Sequence, residues 1–355
     1  MQTVYVGMSG GVDSSVAALL LIEQGYKVVG VYMKNWSKDL PGMKCPWAED
    51  LADAKRVAVK LGIPFFVWDF EKEYHDKVVE YMLSEFKKGN TPNPDVMCNQ
   101  EIKFKLFYEK AMEAGADFIA TGHYARTSLG ESRQASSHAS LLRAVDENKD
   151  QTYFLYRISE EALAHTLFPI GGMLKPNVKK IAAEHGLHNA YKKESMGVCF
   201  VGEVGMRDFL KEYIDEKPGE IREIESDKVL GYHEGAIFYT IGQRHGLYLS
   251  GLSGEINDGL PYYVVKKDIK NNIVYVSKNL NHEAIWTKSL KLKDVFLRNE
   301  APEKVLVRLR HRAALIPATF DGEVLHFEKE VKRPASGQSA VLYSDEICLG
   351  GGIIA

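Results

Sequence analysis

The sequence predicts an α/β protein: an N-terminal doubly wound parallel sheet, then a small β-rich central domain, then a C-terminal β-barrel. Three observations support this. Short apolar runs alternate with amphipathic helical stretches through about the first 120 residues, the pattern of a parallel sheet covered on both faces. After Pro218-Gly219 the helical period gives way to short alternating runs separated by Gly, Asn and Asp, which read as β-rich. The 355 residues exceed one comfortable hydrophobic core, so two or three domains are expected.

In chain order, residues 3–8 read as a short buried strand and 12–24 as a largely apolar helix that Gly25 stops. Residues 27–33 are a second strand. Residues 47–61 are helical, with Leu51, Ala54, Ala58 and Leu61 on one face. Residues 64–70 are a third strand, followed by a helix to about 88. Phe104, Phe107, Ala111 and Ala114 mark another amphipathic helix, which leads into a strand over 117–121. Residues 128–140, rich in Ser and Ala, read as a loop. Helical periodicity returns from about 159 to 214, with Pro176 where a helix would begin. Strand-like runs follow at 237–240, 262–265, 273–276, 305–309 and 339–343. These changes place domain boundaries near 205 and 283, giving units 1–204, 205–282 and 283–355.

Hydrophobic residues at 45% and charged residues at 26% are an ordinary globular balance. No run of about 18 apolar residues suggests a membrane span. No charged n-region with a small-residue cleavage site is readable, so the expected compartment is the cytoplasm. A net charge of −3 does not advertise nucleic acid, but a basic face can coexist with an acidic remainder. Four cysteines, Cys45, Cys98, Cys199 and Cys348, are poor evidence for a disulfide framework in such a chain and better evidence for thiol chemistry, metal ligation or burial.

Gly7-Met8-Ser9-Gly10-Gly11-Val12-Asp13-Ser14-Ser15 joins the first strand to the first helix. Glycines let the backbone approach an anion, and the helix N-terminus adds free N–H groups and a positive dipole end. The serines add hydroxyl donors. Asp13 suits a phosphate site only with a cation between, which makes it a candidate Mg²⁺ partner. The Walker ending Gly-Lys-Ser/Thr is absent. The plain alternative is a tight strand–helix turn with no ligand.

Cys98 follows Thr91-Pro92-Asn93-Pro94-Asp95-Val96-Met97, which reads as a stiff loop because two prolines rigidify it and Asn and Asp favour turns. Lys103 and Lys105 are near enough in sequence to lower a thiol pKa. Cys199 lies between glycines after the basic pair Lys192-Lys193. No CxxC spacing occurs at either, which argues against a zinc ribbon. Cys45 and Cys348 read as packing cysteines, with an exposed thiol in the polar 41–46 loop as the alternative for Cys45.

The run from Ser9 to Ser14 resembles the SGGxDS loop of the ATP-pyrophosphatase superfamily, and the chain resembles the tRNA-specific 2-thiouridylases from end to end. The likeness includes Asn93-Pro94-Asp95 before Cys98, Glu101-Ile102-Lys103-Phe104-Lys105, Ala120-Thr121-Gly122-His123-Tyr124-Ala125-Arg126 and Lys149-Asp150-Gln151-Thr152-Tyr153-Phe154-Leu155. It continues through Gly197-Val198-Cys199-Phe200-Val201-Gly202-Glu203, Tyr239-Thr240-Ile241-Gly242-Gln243-Arg244 and Ser336-Gly337-Gln338. Two places depart from the family. Glu194, Met196 and Val198 replace its usual Asp, Thr and Ile, and His311 stands between Arg310 and Arg312 where Tyr is common.

The resemblance implies an N-terminal domain like the adenine nucleotide α-hydrolases, with a tRNA-binding helical insert, and a tRNA-contacting barrel. It implies 2-thiolation of the wobble uridine of tRNA, with AMP and diphosphate as co-products. ATP would be held by Gly7, Met8, Ser9, Gly10, Gly11, Val12, Asp13, Ser14, Met33 and Gly122, with Mg²⁺. A carbonyl oxygen leaves poorly, and adenylation converts it to AMP. Cys199 would carry a persulfide sulfur from a sulfur-carrier or cysteine desulfurase protein. Either Cys98 releases that sulfur as hydrosulfide, or the persulfide attacks the base and Cys98 resolves it. Both routes need the two thiols within disulfide reach. Asn93, Pro94 and Asp95 would line the flipped base, with Asp95 as acid or base, or merely forming an Asx turn. A third alternative is an iron–sulfur cluster on Cys98, Cys199 and Asp95.

His123, Asp150, Gln151, Thr152, Arg310, His311 and Gln338 match tRNA contacts of the family. The Lys, Glu and Gln acceptors are the expected tRNAs, and a monomer is expected. Lys175, Lys179, Lys180, Lys192 and Lys193 offer a basic face, or simply a solvated one. Two rivals remain. An amide- or guanidine-forming synthetase of the same superfamily needs no paired cysteines. A non-catalytic tRNA-binding protein needs no intact phosphate loop.

Overall fold

The computed structural model describes residues 1–39, 45–128, 139–193, 205–247, 249, 260–279, 281–298 and 300–355. The chain opens with strands β1 (Thr3–Gly7), β2 (Lys27–Lys34), β3 (Phe65–Asp69) and β4 (Phe118–Thr121). A short antiparallel pair follows, β5 (Arg126–Thr127) and β6 (Leu141–Leu142), and then β7 (Thr166–Leu167). Strands β1 to β4 and β7 make one parallel sheet in the order β3-β2-β1-β4-β7. Both faces of β1 are covered. Val4 and Val6 enter one core with Val28 and helix residues Val16 and Ala17, while Tyr5 enters the other with Val31, Phe107 and Ile119. That alternation explains why the strand reads as a continuous apolar run.

Helix α1 (Val12–Glu23) is buried along most of its length. Helix α2 (Trp47–Leu61) buries only Ala54, Val57 and Ala58 and ends on Gly62 at φ +65°, the left-handed cap that glycine allows. Residues 94–113 correct an expectation. They form one continuous helical stretch, of which Pro94–Met97 is the first turn and Cys98–Leu106 is π-helical. Asn93 caps it by accepting from the Asp95 nitrogen at 3.1 Å, and Pro94 holds the first helical position. Asn-Pro-Asp is here a helix start rather than a rigid loop, and the Asx role belongs to Asn93.

The central domain is a four-stranded sheet of β8 (Gly219–Glu223), β9 (Val229–His233), β10 (Tyr263–Asp268) and β11 (Ile273–Ser277), in the order β10-β11-β8-β9. The strand expected over 237–240 is instead a 3₁₀ turn, Ala236–Phe238. Gly235 at φ +154° redirects the chain, and buried Tyr239 fills the small core beside Ile221, Val264 and Val274. Its apolar residues thus serve packing from irregular backbone.

The last domain comprises β12 (Trp286–Leu297), β13 (Lys304–Arg308), β14 (Ile316–Phe320), β15 (Val324–Lys332), β16 (Ser339–Ser344) and β17 (Ile347–Ile354). These run β12-β15-β14-β13-β16-β17, and β12 pairs with β17, closing a six-stranded antiparallel barrel. Closure leaves no free edge along the paired strands. The β5–β6 hairpin from the first domain adds to β17 through Leu141 and Leu142, so the barrel is joined to that domain by backbone hydrogen bonds. Of the expected 128–140 loop, residues 129–138 lie outside the described residues. Among the described residues no helix is long and apolar enough to cross a membrane.

Candidate active site

The parallel sheet reverses its winding between β1 and β4, and their last residues, Gly7 and Thr121, are paired. Such a switch point leaves a crevice beyond the carboxyl ends of the strands. The glycine–serine loop sits there. Gly10 has φ +79°, and a side chain on it would collide with the Asp50 carbonyl, so only glycine fits. Gly122, just after β4, lies against the loop from the other side. A Cβ there would stand 2.5 Å from the Ser14 nitrogen.

The Ser9 nitrogen donates to Ser14 Oγ at 3.2 Å, and Ser14 Oγ and Ser15 Oγ donate to the Gly11 carbonyl at 3.2 and 2.9 Å. Met8 is buried. Met33, at the end of β2, has its methyl near Gly7. The loop backbone is thus pinned from below by its own hydroxyls. Asp13 is held by Lys175, whose Nζ lies 2.7 Å from both carboxylate oxygens, and by the Tyr124 hydroxyl at 3.1 Å. Lys175 is therefore buried beside the loop and not part of an exposed basic face. Lys192 is likewise engaged, with Asp50 at 2.8 Å and Asp53 at 2.6 Å.

From Gly122 the chain passes to His123, which shares a 2.8 Å hydrogen bond with Thr121 Oγ1 and lies against the rings of Phe104 and Phe168. Burial, then the Lys103 charge, holds its pKa well below the ordinary histidine value, so the ring is neutral. The Lys103 charge also reaches Asp95 and pulls its pKa down, but burial outweighs it and raises the Asp95 carboxyl above the usual aspartate range. Cys98 is buried, 3% exposed, one helical turn after Asp95. Asn93 also hydrogen-bonds Tyr153. Asn99 ties this helix to its neighbour, donating to the carbonyls of Asp95 at 3.0 Å and Phe154 at 3.3 Å. Cys199, with residues 194–204, lies outside the described residues.

The other candidates divide. Arg310 is exposed. The His311 ring lies 4.5 Å from that of Phe154; burial, then Arg312 and Arg308, lowers its pKa to about 4. Gln151 and Tyr124 bond each other through side chain and backbone. Asp150 and Thr152 are enclosed, Asp150 binding Arg308 at 2.6 Å and Thr152 Oγ1 at 2.8 Å. Both side chains are buried and engaged in these bonds. Gln338 donates to the Thr91 carbonyl at 2.7 Å. Cys45 and Cys348 are buried, Cys348 with its pKa pushed up to about 12 chiefly by that burial, and so are inert.

Neither proposed metal group is built by the described residues alone, among which no cluster of three metal-ligating side chains occurs. Both Asp13 carboxylate oxygens are taken by the Lys175 ammonium at 2.7 Å, so a Mg²⁺ here would have to share or displace that contact and take its other ligands from nucleotide phosphates and water. Cys98 and Asp95 alone are too few for an iron–sulfur cluster. Sequence reasoning missed Asn99 and Asn189, both buried amides whose partners are remote in sequence.

A parallel sheet with a phosphate-type loop at its switch point defines a nucleotide-binding domain, here followed by two β domains. The family models agree. One described as tRNA methyl transferase HUP domain matches residues 2–203, tRNA methyl transferase PRC-barrel domain matches 207–278, and aminomethyltransferase beta-barrel domain matches 282–354. The tRNA-specific 2-thiouridylase MnmA of Idiomarina loihiensis is 47% identical, covering 99% of this chain and 96% of its own. The proteins of that name from Listeria innocua (47%; 99% and 94%) and Pseudomonas savastanoi pv. phaseolicola (45%; 100% and 94%) are similar throughout. A solved 4-thiouridine synthetase–RNA complex with bound ATP aligns at a TM-score of 0.38 and 19% identity, over 57% of this chain and 45% of its own. The chain belongs to the tRNA-specific 2-thiouridylase family.

Proposed function

We propose that the protein is a tRNA-uridine 2-sulfurtransferase that uses ATP to adenylate the 2-oxygen of the wobble uridine and then replaces it with sulfur. The observation that carries this is the glycine–serine loop at the switch point, in a chain matched end to end by 2-thiouridylases. The loop presents a helix N-terminus and hydroxyls to an anion. Mg²⁺, when bound, would neutralise charge on the phosphates.

When the uracil 2-oxygen attacks the α-phosphorus, the N3 proton must leave. We assign that transfer to Asp95, since a carboxyl whose pKa is raised is a stronger base than an ordinary one. The Lys103 charge acts on both this carboxyl and neutral His123. In our scheme Cys199 arrives as a persulfide. The Cys98 thiolate attacks its inner sulfur, forming the Cys98–Cys199 disulfide and releasing hydrosulfide, which displaces AMP from the ring carbon. A dithiol reductant then restores both thiols. The persulfide donor is a sulfur-carrier or desulfurase protein, and the substrates are the Lys, Glu and Gln tRNAs. Incubation with ATP, Mg²⁺, a sulfide source and unmodified tRNA should yield AMP and thiolated tRNA in equal amounts. Formation of neither rejects the proposal. Full turnover by Cys98→Ser with a persulfide donor rejects the two-thiol scheme.

A further inference from the structure

We infer that Asn189 is a positioning residue of the nucleotide loop, aiming the Gly11 N–H at the diphosphate of ATP; this rests on the ATP-dependent reading above. Asn189 is 2% exposed and lies 179 positions from Gly10. Its Nδ2 donates to the Gly10 carbonyl at 2.9 Å and to Ser15 Oγ at 2.9 Å. The hydrogens fix this orientation. The Gly10 carbonyl is an acceptor only. The Ser15 hydroxyl hydrogen is committed to the Gly11 carbonyl at 2.9 Å, so Ser15 Oγ must accept. Both partners therefore require the NH₂ side of the amide. Its Oδ1 is left buried with no hydrogen-bond partner among the described residues. An acceptor abandoned in this way costs stability, and such exceptions call for an explanation beyond packing.

The geometry supplies one. No cis peptide occurs among the described residues, and in a trans peptide the C=O and N–H point in opposite directions. Tying the Gly10 carbonyl down to Asn189 turns the Gly11 N–H up, away from the protein floor. Gly10 at φ +79° has backbone freedom that would otherwise allow this peptide to rotate. The amide itself is held on both sides. His188 Nε2 meets Asp53 at 3.0 Å, and Lys192 Nζ meets Asp50 and Asp53 on α2. The Asp50 carbonyl is the group that leaves no room for a side chain on Gly10. Loop, α2 and the 188–192 segment thus form one braced unit, with Asn189 at its centre.

Asn189→Leu keeps the volume and removes the donor. In the full-length protein it should weaken binding of ATP and of inorganic diphosphate roughly tenfold or more, the loss expected for one misdirected donor to a charged group. AMP affinity should stay the same, because AMP carries no diphosphate. Equal affinity of wild type and Asn189→Leu for diphosphate, or an equal loss for AMP, overturns the inference. Should Asn189→Leu fold poorly, Asn189→Ser and Asn189→Ala replace it. Ser, which retains a hydroxyl donor, should bind diphosphate more tightly than Ala, and equal binding overturns the inference. A wild-type protein that binds neither ATP nor diphosphate would instead reject the ATP-dependent reading itself.

Discussion

Asp95 carries a conflict between stability and chemistry that a single substitution exposes. Its carboxyl pKa is raised in the folded chain, chiefly by burial, so between the unfolded and folded values the folded state binds more protons. Stability then falls as pH rises through that window. Asp95→Asn should therefore melt no lower than wild type at pH 7, and higher if the burial penalty dominates. Thiolation should nevertheless drop about 10²–10⁴-fold, as befits loss of a positioned acid–base group. A melting temperature that falls together with activity would assign Asp95 to structure. His311 behaves differently. With a pKa near 4 it offers tRNA no charge at neutral pH. Arg310→Ala should reduce the slope of log affinity against log salt by about one, and His311→Ala should leave it unchanged. Binding titrations at several salt concentrations decide this. The sequence shows that both residues are basic in kind, but only the packing against Phe154 and the two arginines shows that one of them is neutral.

At the scale of elements, what the sequence revealed and what it hid follow range of interaction. Strands β1 and β2 and helices α1 and α2 were legible because their apolar period is set by neighbours in the chain. The 94–113 helix was hidden because Asn-Pro-Asp serves turns and helix starts alike. The Asp150–Arg308 pair was hidden because its partners are 158 positions apart. That pair joins β13 of the barrel to the segment preceding the Thr152–Leu155 turn, and both side chains are almost fully enclosed. Arg143 adds a second cation 3.6 Å from Asp150. Arg308→Met would take the closer cation from a buried carboxylate that keeps Arg143 and the Thr152 donors and should cost roughly 3–5 kcal/mol. Adding Asp150→Asn should recover part of the loss. Denaturant unfolding of the two variants checks both, and an Arg308→Met chain as stable as wild type would show that the pair is not coupled to folding.

Over the whole molecule, the barrel is fastened to the helix that bears Asp95 and Cys98 through a motif that also resembles one of RNA recognition. Ser336-Gly337-Gln338 resembles a tRNA-contacting motif in sequence, and each of the three meets the Asn90–Thr91 segment of the first domain. The Thr91 nitrogen donates to the Ser336 carbonyl at 2.7 Å. Gly337, at φ +92°, has no room for a side chain beyond a close approach to Asn90 and Thr91. Gln338 donates to the Thr91 carbonyl. Thr91 is two residues before the Asn93 cap, which fixes the first turn of the helix that bears Asp95 and Cys98. A shift of the barrel is therefore passed along five covalently linked residues to the proposed acid–base group, and a misplacement on the order of 1 Å can cost about 10²-fold in rate. Gln338→Leu, which keeps the volume and removes the amide donor, distinguishes the two roles in the full-length enzyme. An anchor predicts that kcat falls while the KM for tRNA and the salt dependence of binding hold steady, since the chemistry is misaligned but no phosphate or base contact is lost. An RNA contact predicts a raised KM with kcat little changed. The amide NH₂ carries a second N–H beside the one given to Thr91, so a rise in KM alone would show that Gln338 contacts RNA, and the anchor role would then be wrong.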